Sequence, residues 1–227
     1  MPSSQPASPP RLGALARQVA SLYGGASHWS RNFVRGKLLT DPATPAVLGL
    51  AAEAGGFGVV ADLGCGRGQA GLGLLLAGLA DQVHGLDLAP AKIADAQRAA
   101  AGLPASFCVA DLGAAELPAC DTVIILDVLL QMPDAAQRRL LSAMATAARR
   151  RVIIRAFDPD CGWRARLGFA SEQIGRVLRR DGTVLSPLPM AELAAPFEAL
   201  GFAVSVRPCW GWTPLPNVML VAERSAR

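Results

Sequence analysis

The stretch of this sequence with the clearest chemical potential runs from Asp62 to Gly68, where an acidic residue precedes three glycines that alternate with other residues. The apolar residues 59–63 are typical of a strand, and the residues from 69 onward are typical of a helix. Glycine lets a backbone turn approach a ligand closely, and a helix that begins there offers unpaired N–H groups. The turn therefore predicts a site for a nucleotide-type cofactor at the end of a strand.

Three further acidic residues each stand at the end of a predicted strand. Asp87 closes the second strand, Asp111 follows the third and Asp127 follows the fourth. A carboxylate at the position of Asp87 can accept hydrogen bonds from both hydroxyls of a ribose. Each acid alone has a structural alternative, as a solvated strand end or as the cap of the next turn. Their combination with the glycine turn is what indicates a shared cofactor.

Two classes of cofactor bind at such a turn. The dinucleotide pattern G-x-G-x-x-G/A fails when it is counted from Gly64, because Gln69 stands at its third position. Counted from Gly66, the pattern begins too late after the first strand. The pattern that is present, D-x-G-x-G-x-G, closely resembles the first motif of class I S-adenosylmethionine-dependent methyltransferases. The resemblance covers roughly residues 55–157.

The resemblance implies S-adenosylmethionine as the cofactor and a role for each acid. Asp62 would hold the ammonium end of the cofactor, and Asp87 would bind its ribose. Asp111 would accept a hydrogen bond from the adenine amino group, with Leu112 packing on the ring. Asp127 would lie near the transferring methyl group, where it orients the acceptor or supports the ammonium end. The predicted cofactor-binding residues are Asp62, Gly64, Cys65, Gly66, Gly68, Asp87, Leu88, Asp111, Leu112 and Asp127.

Methyl transfer from a sulfonium requires a base only when the acceptor must lose a proton. His28 precedes the predicted core and could act there, although a surface position without a catalytic role is the alternative. We predict His28 and Asp127 as the catalytic residues. No N-P-P-[YF] motif follows the fourth strand, which disfavours methylation of amides or adenine amino groups.

The elements that must position these residues alternate between strand and helix from residue 59 to residue 156. This alternation predicts an α/β fold with a Rossmann-like, doubly wound, mostly parallel sheet of seven strands. Helices over residues 11–54 are predicted to form an N-terminal cap, and residues 157–190 an insertion with a helix after strand five. Residues 1–10 are predicted to be a disordered tail and residues 11–227 a single domain. The predicted strands are 59–63, 82–87, 106–110, 122–126, 152–156, 202–206 and 218–222.

The insertion is expected to select the acceptor. Apolar residues from Trp163 to Leu178 recur at helical spacing, and five arginines between Arg164 and Arg180 fill much of the remaining surface. A solvated helix packed on the core, a lid over an apolar acceptor pocket, and a docking surface for an acidic carrier protein or an anionic membrane all remain open. The residues predicted to contact the acceptor are Arg155, Trp163 and Trp210.

Two late segments carry a fainter resemblance. Residues 157–164 and 208–217 are similar to methyltransferases encoded with bacterial aryl polyene or other fatty-acid-like pathways. This similarity implies an aromatic or acyl-type small-molecule acceptor that is carried by a protein or free. A nicotinamide-dependent oxidoreductase and a non-catalytic relative of the fold are the alternative functions.

The composition of the chain limits its possible class, partners and location. Hydrophobic residues make up 52% of the 227 residues and charged residues 18%, which is typical of a compact protein. The net charge of +4 is mild, and no basic tract with interleaved aromatics is present, which disfavours nucleic acid as a partner. No apolar run is long enough to span a membrane. Five scattered cysteines indicate reduced thiols, so a cytoplasmic location is expected and no metal site is predicted.

Overall fold

The computed structural model describes residues 12–159, 161–162, 185–211 and 215–224. Its helices are α1 (Leu12–Ser21), α2 (His28–Thr40), α3 (Ala43–Glu53), α4 (Gln69–Leu76), α5 (Pro90–Ala99), α6 (Asp134–Ala147) and α7 (Met190–Glu198). Its strands are β1 (Val59–Leu63), β2 (Gln82–Asp87), β3 (Ala105–Val109), β4 (Cys120–Leu126), β5 (Ala148–Phe157), β6 (Phe202–Pro208) and β7 (Asn217–Arg224). The predicted tail and the predicted helix between Trp163 and Arg180 lie outside the described residues.

The seven strands form one mixed sheet in the order β3-β2-β1-β4-β5-β7-β6. Pairing is parallel between β1 and β2, between β2 and β3, and between β4 and β5. Strand β7 runs antiparallel to both β5 and β6. The predicted α/β class with a Rossmann-like, mostly parallel, seven-stranded sheet is confirmed.

Contacts divide the chain into two compact units, Met1–Val109 and Ala110–Arg227. The first unit contains α1 to α5 and the parallel strands β1 to β3. The inner residues of β1, Val60 to Leu63, are buried, and so is Phe107 on β3. Ser27 begins α2 because its side chain accepts a hydrogen bond from the N–H of Ser30, at 3.1 Å.

The second unit contains β4 to β7, α6 and α7. Residues 218–222 of β7 are all buried, which accounts for their unbroken apolar run between two neighbouring strands. Strand β5 begins at Ala148, four residues before the predicted start, which is 152. Its first residues are basic, and Arg151 pairs across the sheet with Glu223, at 2.6 Å. Ala148 pairs with Cys120 on β4, so contacts with both neighbouring strands extend β5 where no apolar pattern marks it.

None of the helices in the described ranges combines the length and the apolar character that a membrane-spanning helix requires.

The glycines of the 62–68 turn serve different purposes in packing. Gly66 and Gly68 both have positive φ, at 59° and 78°. A Cβ on Gly66 would meet no atom within 4 Å, whereas a Cβ on Gly68 would lie 2.6 Å from Cζ of Phe107 and 3.3 Å from Cβ of Ala96. Gly68 therefore allows the turn to close on the core, while Gly66 leaves open space beside the backbone.

We expect Gly68→Ala to destabilise the protein more than Gly66→Ala. Both variants force an L-residue into the left-handed region, at roughly 1–2 kcal/mol. Only Gly68→Ala adds overpacking against Phe107, at about 1–3 kcal/mol. Urea denaturation followed by circular dichroism measures the difference. Equal losses of unfolding free energy in the two variants would contradict this account of Gly68.

Candidate functional site

The glycine turn is fastened to the end of β2. The backbone N–H groups of Gly64 and Cys65 both donate to the carbonyl oxygen of Leu86, at 2.7 and 3.0 Å. Leu86 is also the register partner of Leu63, the last residue of β1. The turn therefore leaves β1 at the carboxyl ends of two parallel strands, which is where α/β sheets bind ligands.

Asp87 lies beside this turn and shapes it. Its Oδ2 accepts from the N–H of Gly66 at 2.8 Å, and its Oδ1 accepts from the N–H of Ala89 at 2.9 Å. The residue is 9% exposed. An ionised carboxylate has about four lone-pair sites, so each oxygen retains acceptor capacity for a ligand hydroxyl. Asp87 is thus fixed in place and still able to accept hydrogen bonds.

Asp62 presents a desolvated carboxylate at the end of β1. It is 2% exposed, and its Oδ2 accepts from the N–H of Gly71 at 3.2 Å. Burial raises the pKa of Asp62 to about 7, and the nearby charge of Asp87 adds to this effect, while the Gly71 hydrogen bond opposes it. A positively charged ligand group is the natural complement of a carboxylate in this environment.

Three residues close in sequence to Asp62 or Asp87 differ in the groups that they present to a ligand. Cys65 is buried, and burial raises the pKa of its thiol, which leaves the sulfur protonated and unreactive. Leu88, next to Asp87, is 69% exposed and presents an apolar surface. The side-chain oxygen of Gln69 is buried and accepts no hydrogen bond within the described part of the chain. That oxygen can accept a hydrogen bond from a ligand, a feature that the sequence did not indicate.

Asp111 and Leu112 belong to the second unit. Oδ1 of Asp111 accepts from the N–H of Gly113 at 2.8 Å, and its carbonyl oxygen accepts from Ala114 and Ala115. The Asp111 carboxylate therefore stabilises its own turn, which is the structural role that the sequence left open as an alternative to cofactor binding. The Asp111 side chain is exposed. Leu112 is only 9% exposed, so most of its side chain packs within the protein.

Asp127 and Arg155 form an ion pair in the second unit. The Arg155 Nη1 donates to the Asp127 Oδ2 at 2.7 Å, and the two side chains are 7% and 36% exposed. Asp127 has a φ of 62°, and it is the only non-glycine residue with positive φ among those the structure describes. A non-glycine residue with positive φ has a strained backbone, and such residues are concentrated at functional sites. The pair brings together two residues that the sequence assigned to different roles.

The remaining predicted residues are placed as follows. His28 begins α2 and is exposed, and Trp210 follows β6 and is half-buried. Trp163 lies outside the described residues. Across the described ranges, no three His, Cys, Asp or Glu side chains are grouped as a metal site would require.

Arg67, like Gln69, is a residue at this site that the sequence did not indicate. It lies within the glycine turn, and its guanidinium contacts Asp95 on α5 and two aromatic rings on α2. A signal for Arg67 was available, since the predicted cofactor, S-adenosylmethionine, carries no phosphate that could pair with an arginine in this turn. Its contacts come from elements far away in the sequence, so the spacing of the motif did not reveal them.

The sequence matches the family described as a methyltransferase domain over residues 60–151. This range contains the glycine turn together with Asp87, Asp111 and Asp127. No curated protein matches the chain.

Several solved structures share the fold. The magnesium protoporphyrin IX methyltransferase of Synechocystis PCC 6803, with bound SAH, is 24% identical with a TM-score of 0.64, and the match covers 93% of this chain and 94% of that one. An O-methyltransferase family protein from Burkholderia thailandensis is 20% identical with a TM-score of 0.63, covering 96% and 68%. A structure from work on converting a disulfide bond into a thioacetal group during echinomycin biosynthesis is 25% identical with a TM-score of 0.58, covering 80% and 82%.

Asp62 should make the stability of the unliganded protein depend on pH. Its pKa is about 7 in the folded chain and near 3.9 in an unfolded one, so the folded state binds the proton more tightly. The resulting stabilisation is complete below about pH 4 and is lost as the pH rises to about 7. Asp62→Asn keeps a neutral side chain throughout, so its melting temperature relative to wild type should rise between pH 5 and pH 7.5. A difference that stays constant over this range would show that burial does not govern the carboxylate.

Proposed function

We propose that the chain is a class I S-adenosylmethionine-dependent methyltransferase that methylates an apolar or aromatic small molecule, either free or bound to a carrier protein. The observation that carries the acceptor class is an apolar run beside a paired acid. Val128, Leu130 and Met132 follow Asp127 closely, and all three are half-buried. Partly exposed apolar side chains next to a fixed carboxylate favour an acceptor with a hydrophobic body and one polar group.

The residues of the first unit fit the cofactor. S-adenosylmethionine supplies an electrophilic methyl group on a sulfonium. Asp62 suits the cofactor's ammonium group, because a nearby cation compensates for the desolvation of the carboxylate. Asp87 has acceptor capacity left for the ribose hydroxyls, and the open space at Gly66 leaves room beside the backbone.

The chemical step depends on alignment more than on acid or base chemistry. Displacement at a methyl group requires the donor and the acceptor atom to be in line at near-attack distance. In our proposal Asp127 orients the polar group of the acceptor, and Arg155 holds the Asp127 carboxylate through their ion pair. His28 is exposed at the start of α2 and remains the candidate base for an acceptor that must lose a proton.

A carrier-bound acceptor is supported by the sequence alone. Five arginines lie in the stretch that the structure leaves undescribed: Arg164, Arg166, Arg176, Arg179 and Arg180. A basic segment complements the acidic surface of a carrier protein and speeds their encounter. Trp163 and Trp210 would contribute apolar contacts to the acceptor in this proposal, as amphipathic rings often do in small-molecule sites.

Cofactor binding tests the role of Asp87. We expect Asp87→Ala to weaken SAH binding by tens-fold or more in calorimetry, because the loss of a buried acceptor for the ribose hydroxyls costs roughly 1–3 kcal/mol. Asp81→Ala, in an exposed position before β2, is the matched control and should bind normally. Titration of the wild type with a nicotinamide dinucleotide should give no heat of binding. Unchanged SAH affinity in Asp87→Ala would remove Asp87 from the site.

The acceptor class is tested by methyl transfer from labelled cofactor to a panel of acceptors. Methyl transfer is expected to at least one apolar acceptor among free phenols, aromatic acids and fatty acids, or to the hydroxyl group of a hydroxyaromatic acid held as a thioester on an acidic carrier protein. Transfer confined to polar acceptors such as sugars or RNA would overturn the proposal.

Asp127→Asn separates the acceptor from the cofactor in the same assay. Turnover should fall about tenfold or more while SAH affinity changes little, since the interaction concerns the acceptor. Asp121→Asn at the start of β4 is the control, because it makes the same substitution at a residue with no proposed role toward the acceptor or the cofactor. A large loss of SAH affinity in Asp127→Asn would instead assign Asp127 to the ammonium end of the cofactor.

A further inference from the structure

The side chain of Arg67 joins the glycine turn to α2. Its guanidinium carbon lies 4.9 Å from the ring centroid of Trp29 and 5.3 Å from that of Phe33. The two rings are stacked on each other, with centroids 5.2 Å apart and planes inclined by 17°. Planar guanidinium groups are attracted to aromatic faces at this range. Trp29 and Phe33 are 63% and 40% exposed, and the contact with Arg67 joins them to the turn.

The same guanidinium is anchored from a second direction by Asp95 on α5. Arg67 Nε donates to Asp95 Oδ2 at 3.1 Å, and both side chains are largely buried. Asp95 Oδ2 also accepts from the hydroxyl of Ser30 on α2, at 2.9 Å. Arg98 contacts the other oxygen of Asp95 and is mostly exposed. Asp95 thus connects the turn, α2 and α5 in one network.

The backbone of Arg67 is held as well. Its carbonyl oxygen accepts from the hydroxyl of Tyr23, just beyond α1, at 2.5 Å. Burial raises the pKa of the Tyr23 phenol, so this group stays protonated and donates. Arg67 stands between Gly66 and Gly68, the residues with the greatest backbone freedom in the turn. Contacts to both its backbone and its side chain therefore restrict the part of the turn that is most free to move.

We propose that Arg67 is a positioning residue that couples the docking of α2 to the shape of the cofactor turn, so that cofactor binding and closure of α2 strengthen each other. This inference rests on the proposed cofactor site. Coupling of this kind is reciprocal: a ligand that requires the ordered turn must also stabilise the contact of α2 with it. The N-terminal helices thereby become part of the cofactor site without having to touch the cofactor.

The experiment compares the affinities of Arg67→Gln and wild type for two ligands. One is SAH, and the other is 5′-methylthioadenosine, which lacks the amino-acid end. A positioning role acts through the turn, so affinity for both ligands should fall by a similar factor of about 5–30-fold, the range for a partly buried cation–π contact with an ion pair. Arg98→Gln removes the other arginine partner of Asp95 without changing the turn and should bind both ligands normally. Asp95→Asn should resemble Arg67→Gln.

Hydrogen exchange provides a readout that does not depend on activity. In wild type, SAH should slow exchange in residues 28–40, whereas in Arg67→Gln this protection should be lost even at saturating SAH. Circular dichroism verifies that the variant is folded, and Arg67→Lys, which keeps the charge but not the planar stack, should recover only part of the protection.

The outcomes are distinct. If wild type binds neither ligand, the cofactor site itself is wrong. If wild type binds both and Arg67→Gln loses affinity for SAH alone, Arg67 contacts the amino-acid end directly and the positioning role is overturned. If Arg67→Gln binds and protects residues 28–40 as wild type does, α2 and the turn are not coupled.

Discussion

The burial of the Asp62 carboxylate at the end of β1 is the constraint around which the first unit is organised. The group lies at the end of an apolar strand, where its Oδ2 accepts a hydrogen bond from the N–H of Gly71 at 3.2 Å, and burial penalises its charged form. An isolated buried carboxylate costs far more than an exposed one unless a cation or several donors approach it. The protein maintains this cost at the point where β1 gives way to the glycine turn. In the function that we propose, the ammonium group of the cofactor would relieve this cost, and stability at the end of β1 would then depend on ligand binding.

The glycines of the turn have different packing environments. Gly66 faces open space, while the backbone at Gly68 comes close to Phe107 in the core. One residue therefore keeps the site accessible and the other anchors it, although the motif shows them as equivalent. Asp87 links these functions, because its carboxylate accepts from the N–H of Gly66 and retains capacity for a ligand.

Arginine holds an acid in each of the two compact units. In the first unit, Arg67 pairs with Asp95 and lies over Trp29. In the second, Arg155 is buried and pairs with Asp127. A buried guanidinium must be paired, and once paired it fixes the orientation of its partner. In the first unit the arginine itself belongs to the glycine turn, and in the second its partner Asp127 directly follows β4.

The sequence by itself determined the strands, the helices and the acids at the strand ends, because periodicity and the conformational freedom of glycine act over a few neighbouring residues. It predicted β1 and β2 with the bounds that the structure has, and it marked the glycine turn as a cofactor site. Only the tertiary structure decided the partners of Arg67, the different roles of Gly66 and Gly68, and the early start of β5. The contact of Arg67 with Asp95 spans 28 residues, and that of Arg151 with Glu223 spans 72. Such pairs depend on where folding brings distant segments together, and no local pattern encodes that.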